Sequence, residues 1–148
     1  YIRGGERVLD LGSGSGILSI TALLLGAASA VGVDIDPKAE DIARENAGIN
    51  QLHSDRFTAL TGDVIDDRSM SRRLGDGYDI VLANIVADVI MALAPHVLSF
   101  LKPGGVFICS GILDRRYEDV RAALERAGLR ILSTDTQDDW RRITAVPC

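Results

Sequence analysis

Apolar and polar positions along this chain switch repeatedly between two periods. Short apolar runs recur at 7–11 (RVLDL), 30–34 (AVGVD), 57–61 (FTALT), 79–83 (DIVLA), 106–110 (VFICS), 130–134 (RILST) and 142–146 (RITAV). Each has the length of a buried strand. Helical spacing intervenes. In PKAEDIARENAGIN (37–50), Ala39, Ile42, Ala43, Asn46 and Ala47 fall three and four apart and predict one inward face. Asp36 suits the N-cap there, and Pro37 the first helical position, where a missing N–H costs nothing. In DRRYEDVRAALERAG (114–128), Tyr117, Val120, Leu124 and Ala127 form a similar stripe, and Gly128 supplies a C-terminal stop. A further helix is expected to begin near Asp88, with Pro95 breaking it after Ala92. DDRSMSRRLGDG (66–77) reads as polar and irregular.

Strands alternating with helices predict a doubly wound α/β sheet covered on both faces. The last two runs have only DTQDD between them, too short for a crossover helix, so they are expected to pair antiparallel. At 148 residues the chain is one domain, long enough to bury about 70% of its unfolded surface. Hydrophobic residues at 47% and charged residues at 25% fit a soluble globular protein. No apolar run approaches the ~20 residues that span a bilayer, and no signal peptide is visible. Two cysteines without a CxxC argue against a disulfide framework and favour a cytoplasmic setting; Cys109 is expected to be a buried hydrophobe. His53 and His96 lack metal-ligand spacing, so no metal is expected. The net charge of −5 argues against broad nucleic-acid binding and leaves a basic protein open as a partner. The strand met almost at once, with no initiator methionine, suggests a piece of a longer protein.

The candidate chemistry begins at VLDLGSGSGILSI. Gly12, Gly14 and Gly16 lie between the first strand and first helix, where glycines let backbone approach a ligand closely. Asp34 ends the second strand, at the ~20-residue distance from which an acid can take ribose hydroxyls. Asp63 follows the third strand and reaches the same rim. Each acid alone is as well explained as a cap or turn residue; together with the loop they point to a nucleoside-containing ligand. A dinucleotide would want G-x-G-x-x-G. Counted from Gly12 the last position is Ile17, which fails; counted from Gly14 it is Ser19, which is small enough to fit. Asp10, inside the first strand, suits a cationic amino group and repels a pyrophosphate.

VLDLGSGSGILS with VGVDIDP resembles the class I S-adenosylmethionine-dependent methyltransferases. LANIVAD, LKPGG, SGIL and DDWRRITAV narrow the resemblance to the PrmA family, the bacterial methyltransferases of ribosomal protein eleven of the large subunit, over essentially the whole chain. The resemblance implies a Rossmann-like sheet in the order 3-2-1-4-5-7-6 with strand seven antiparallel. It implies that S-adenosylmethionine lies with its methionine part against Gly12, Ser13, Gly14 and Gly16. Asp34 would hold its ribose, Ile35 would lie against the adenine, and Asp63 and Val64 would border the adenine edge. Asn84 matches the family's asparagine after strand four. Family members also carry an upstream substrate-recognition domain and a G-T-G-x-H-x-T-T segment that are not in these 148 residues, which are expected to be the catalytic domain.

Asn84 is the expected catalytic residue, orienting the amine, and it is also expected to touch the cofactor. An amine nucleophile needs its lone pair free, although a free lysine has a pKa of about 10.4. A carboxylate would hold the ammonium form, whereas an amide oxygen accepts a hydrogen bond from a neutral amine without that penalty. The plainer alternative is that Asn84 caps the following helix or forms a turn. Relatives that methylate adenine or glutamine amides follow this residue with Pro-Pro-Tyr or a similar aromatic; Ile85-Val86-Ala87 offers no such stacking platform, which lowers nucleic-acid methylation. Trp140 is expected to pack on the sheet. The expected function is methyl transfer to amino groups (lysine or N-terminal) of a ribosomal protein. A small-molecule amine methyltransferase and a non-catalytic cofactor-binding domain are the alternatives, with an NAD enzyme further behind.

Overall fold

The computed structural model describes residues 1–148. Its strands are β1 (Arg7–Leu11), β2 (Ser29–Asp34), β3 (Phe57–Thr61), β4 (Tyr78–Asn84), β5 (Leu101–Leu113), β6 (Leu129–Gln137) and β7 (Trp140–Pro147). They form one seven-stranded sheet in the order β3-β2-β1-β4-β5-β7-β6. β1 to β5 pair parallel, and β7 runs antiparallel to both β5 and β6. The Rossmann-like class, the order and the antiparallel hairpin are as the sequence led us to expect. The hairpin is tighter than the apolar runs suggested. Its turn is only Asp138 and Asp139, with Asp138 in the left-handed region at φ 50, which a short polar side chain tolerates.

The helices are α1 (Ile17–Leu24), α2 (Pro37–Ile49), α3 (Arg68–Leu74), α4 (Ala87–Phe100) and α5 (Tyr117–Arg126). Alternate strand residues feed two cores, as a pleated sheet requires. Val8, Ile80 and Val106 join α1 and α2 in the smaller one, while Leu9, Leu11, Val81 and Phe107 join α3, α4 and α5 in the larger. In α2 the Asp36 side chain accepts from the Lys38 N–H at 2.9 Å and Pro37 opens the helix. The buried seam there is Ala39, Ala43 and Ala47; Ile42, expected inward, is 48% exposed. An all-alanine seam seats the helix so close to the sheet that a neighbouring isoleucine falls outside it.

Two expectations are corrected. The segment expected to be irregular contains α3, capped by Asp67, whose side chain accepts from the Ser69 N–H at 2.8 Å. Met70 and Leu74, one turn apart, are buried. Met70 fits because residue 62 is glycine: a Cβ there would stand 2.0 Å from its Cε. Pro95 does not break the chain after Ala92 but lies inside the continuous helix α4. The missing N–H costs one hydrogen bond, while Ile90, Leu93, Ala94 and Val97 are held on both sides of it in the larger core.

Candidate functional site

The loop between β1 and α1 turns over the carboxyl end of the sheet on three left-handed glycines, Gly12 (φ 73), Gly14 (φ 51) and Gly16 (φ 80). The amides of Gly12 and Ser13 both donate to the Val33 carbonyl, at 2.8 and 3.1 Å, which bends the chain back over β2. Two close approaches explain the composition. A Cβ on Gly12 would stand 2.5 Å from Ile85 Cγ2, and one on Gly32 would stand 2.8 Å from the Ser13 Cβ. Gly32 therefore lets the loop sink onto the sheet, a role its place in the apolar run AVGVD did not reveal.

Two acids brace this rim by accepting from backbone amides. Asp34 takes the Gly14 N–H at 2.9 Å on one oxygen and the Asp36 N–H at 3.0 Å on the other. A carboxylate has about four lone-pair positions, so capacity for ligand hydroxyls remains. Asp63 accepts from Ile65 (2.8 Å) and Asp66 (3.1 Å) through Oδ1, leaving Oδ2 unengaged. Between the two acids lies a cleft of about 470 Å³ with mostly apolar walls. Gly12, Asp34, Ile35, Asp63 and Val64 line it, together with Ile65, Ile85, Val86, Val89 and Leu93, which sequence reasoning did not single out. Ile35 is 70% and Val86 64% exposed, so the cleft offers bare apolar surface to a flat ligand. The only signal for Val86 and Val89 was an apolar start to α4, which reads equally well as core.

Asp10 does not stand beside this cleft. It is 1% exposed, beneath the loop, in register with Gly32 and Leu82. Its Oδ2 accepts from the Ser19 hydroxyl at 2.9 Å; its Oδ1 has no partner. Burial pushes its pKa from 3.8 up to about 6, with the Ser19 bond opposing and the charge of Asp34 adding a little. Ser13 is nearly buried above it, while Gly14 and Gly16 shape the loop rather than wall the cleft.

A second hollow, also about 470 Å³, opens on the other side of Asn84. Asn84, Ser110, Gly111, Gln137, Asp138 and Trp140 line it. The Asn84 side chain is exposed and makes no hydrogen bond within the protein. Helix α4 is entered from Val86 without any side-chain cap, so Asn84 is not its cap. Gly111 (φ 81) is crowded here: a Cβ would lie 2.8 Å from the Ile85 carbonyl oxygen and 3.2 Å from Asn84 Oδ1. Trp140 departs from its expected packing role. It is 51% exposed because it opens β7 at the hairpin turn, paired with Leu113 and Gln137.

Other candidates fall away from this rim. Cys109 is fully buried and burial pushes its thiol up to about 12, so it is inert near neutral pH. His53 and His96 line neither hollow, and no group of His, Cys, Asp and Glu is arranged to hold a metal. No helix is long and apolar enough to cross a membrane.

Comparison with known proteins bears on the same architecture. A family model described as ribosomal protein L11 methyltransferase (PrmA) matches residues 1–147. The ribosomal protein L11 methyltransferase of Agathobacter rectalis is 45% identical over 98% of this chain and 46% of its own length. That of Lachnoclostridium phytofermentans is 41% identical over 98% and 48%. The chain thus spans about half the length of the curated relatives it matches. Among solved structures, a ribosomal protein L11 methylase from Lactobacillus delbrueckii subsp. bulgaricus superposes with a TM-score of 0.89 at 27% identity, over 99% of this chain and 72% of that one. A magnesium protoporphyrin IX methyltransferase from Synechocystis, solved with bound S-adenosylmethionine, superposes with a TM-score of 0.77 at 25% identity, over 98% and 71%.

Proposed function

The chain belongs to the ribosomal protein L11 methyltransferase (PrmA) family, and from that premise we propose that it carries methyl groups from S-adenosylmethionine to amino groups of ribosomal protein L11. Residues 1–148 serve as the catalytic domain of this enzyme, and a ribosomal acceptor puts the reaction in the cytoplasm. The observation that carries the reading is the meeting of two unlike hollows at consecutive residues. Ile85 lines the apolar cleft with its two carboxylates; Asn84 lines the polar hollow with its exposed indole.

The residues fit S-adenosylmethionine. Asp34 has acceptor capacity to spare for ribose hydroxyls, and Ile35, Val64 and Val86 offer apolar surface to an adenine whose edge meets Asp63. Gly12, Ser13, Gly14 and Gly16 hold the backbone low enough for the amino-acid portion. When bound, the sulfonium group supplies a methyl already activated for displacement. The protein's task is then placement, which is worth ~7–11 kcal/mol in well-oriented reactions. The Asn84 amide oxygen accepts a hydrogen bond from the incoming amine and leaves its lone pair free, and bulk solvent takes the proton. Nothing in the protein competes for that amide, which makes no other hydrogen bond.

The acceptor enters over the β6–β7 turn. Asp135 is paired with Arg142 and Asp114 with Arg141, while Asp138 and Asp139 at the tip are in no ion pair. These free carboxylates, with the net charge of −5, favour a basic polypeptide. Calorimetry with S-adenosylmethionine, its demethylated product and NAD tests the cofactor, and binding of NAD alone would end the methyltransferase reading. Methyl-labelled cofactor incubated with ribosomal protein L11 should label its amino groups. Label passing only to free small amines would favour a small-molecule enzyme, and cofactor binding with no acceptor at all a non-catalytic domain.

A further inference from the structure

From Ile80 onward β4 keeps an unbroken register with β5, ending with Asn84 against Ser110, and the Ile85 N–H then donates to the Ser110 carbonyl at 3.2 Å. Against β7 the register breaks. Cys109 faces Ile143 and Ile112 faces Arg141, so β5 has one residue more than its partner between these pairs. The extra residue lies at Ser110–Gly111, where Gly111 is left-handed at φ 81, the conformation that a glycine bulge uses. A bulge bends its strand and re-aims the groups beside it. The groups beside this one are Asn84 and Ile85. A Cβ on residue 111 would lie 2.8 Å from the Ile85 carbonyl oxygen, 3.2 Å from its carbonyl carbon and 3.2 Å from Asn84 Oδ1. This crowding differs in kind from that at Gly12, where the atom met at 2.5 Å is a side-chain methyl, Ile85 Cγ2. A methyl can turn aside. The backbone of Ile85, tied to β5 through its own N–H, cannot.

We propose that Gly111 is a positioning residue for methyl transfer: its bare α-carbon lets the β5 bulge close on the Ile85 backbone, and this fixes where Asn84 presents its amide oxygen to the acceptor amine. The inference rests on the role given to Asn84 above. Gly111 and Asn84 line the same hollow, while Ile85 lines the cofactor cleft. A shift of the 84–85 backbone therefore alters the gap between methyl donor and acceptor. Misplacement by about 1 Å is enough to cost about 100-fold in rate. Gly111 has no side chain to offer either substrate, so it acts through Asn84.

Methyl transfer from S-adenosylmethionine to ribosomal protein L11, beside calorimetry with the demethylated cofactor, tests this on the 148-residue chain. Gly111→Ala should lower kcat by about 10- to 100-fold. Affinity for the demethylated cofactor should change by no more than about threefold, because the loss falls on the reacting geometry. The decisive measurement is the cycle with Asn84→Ala. With the positioned amide gone, adding Gly111→Ala should lower kcat by less than about threefold further. Gly104→Ala controls for backbone strain: Gly104 is left-handed at φ 78 in the same strand but has nothing within 4 Å of a Cβ, so turnover should stay at the wild-type level. If Gly111→Ala does not fold, Gly111→Asn replaces it, since asparagine tolerates left-handed backbone and carries the same Cβ. Losses that simply add in the double variant would overturn the proposal, as would wild-type turnover in Gly111→Ala or an equal loss in Gly104→Ala. If the wild type binds cofactor but Asn84→Ala alone leaves kcat unchanged, the Asn84 reading fails, a result distinct from additive losses.

Discussion

The two hollows that meet at Asn84 and Ile85 are held by opposite means. On the glycine-loop side, carboxylates clamp backbone: Asp34 takes two amides, Asp63 takes two, and Asp10 is sealed with Ser19. Left-handed glycines and contacts tighter than a Cβ allows fix the loop in place. On the hairpin side the indole of Trp140 is half exposed, and the pairs Arg141–Asp114 and Arg142–Asp135 sit at the surface. Such pairs are worth ~0–1 kcal/mol each. A small ligand of constant shape repays preorganisation, because ordering costs are met during folding rather than on binding. A polypeptide acceptor is better served by a rim that can adjust. The difference is expressed in stability, in turnover and in affinity, and each can be perturbed alone.

The largest effect is expected from Asp10→Asn, read as stability. Holding an acid at about 6 against an ordinary 3.8 means the folded protein binds the extra proton between those values. The contribution of Asp10 to stability therefore falls as pH rises from 3.8 to about 6 and is constant above, opposite in sign to that of a carboxylate with a lowered pKa such as Asp67. The gap corresponds to ~3 kcal/mol. The amide cannot ionise, so the variant should be more stable by up to that amount at pH 7 and by little near pH 4, less whatever its added N–H groups cost. Denaturant titrations at both pH values check this. A variant less stable at pH 7 would mean the buried charge is compensated in a way the geometry does not reveal.

Asn84→Ala comes next and tests whether the junction is chemical. Turnover should fall by about 100-fold, the order expected when a reacting group is misplaced. Cofactor affinity and folding stability should barely change, since the side chain is exposed and bonded to nothing in the protein. Asn84→Asp should retain size and acceptor but hold the acceptor amine as ammonium, and so move activity to higher pH. Wild-type turnover in Asn84→Ala would return the residue to a structural part. Asp34→Ala should cost about 2 kcal/mol of cofactor affinity, the scale of a charge-assisted hydrogen bond. Stability should also drop modestly, because the Gly14 and Asp36 amides lose their acceptor. Unchanged affinity would place the ribose elsewhere.

Much of this division was legible beforehand, for reasons tied to particular residues. The glycine loop, Asp34 and Asp63 could be read because strand ends and turns impose local rules on backbone conformation. The antiparallel closing hairpin followed from a connection too short for a helix. Helix α3 was missed because only Met70 and Leu74 mark it, and Met70 finds its place through Gly62, a contact across the chain. Pro95 sits in an unbroken helix because the core on either side outweighs one hydrogen bond. The depth of Asp10 was hidden for the same kind of reason. Its burial depends on Ser13 settling over Gly32, and no spacing within VLDLGSGSG records that.

The smallest effect is expected from Trp140→Ala, and it separates the two sides most cleanly. An aromatic packed on a sheet would lose several kcal/mol on truncation. Trp140 is instead 51% exposed at the start of β7, so stability should change by under ~1 kcal/mol. Under the proposed function its ring borders the hollow that receives a protein amine. An exposed ring over a basic side chain flanking that neutral amine in the acceptor is worth ~0.5–1 kcal/mol, so KM for the acceptor should rise roughly two- to fivefold, with kcat and cofactor affinity unchanged. Trp140→Phe keeps a π face and should recover part of the loss, which a purely steric wall would not require. Steady-state kinetics with varied ribosomal protein L11, beside a denaturant titration, gives both readings. A large stability loss with KM unmoved would make Trp140 a packing residue after all, and would leave the acceptor side resting on Asn84, Asp138 and Asp139.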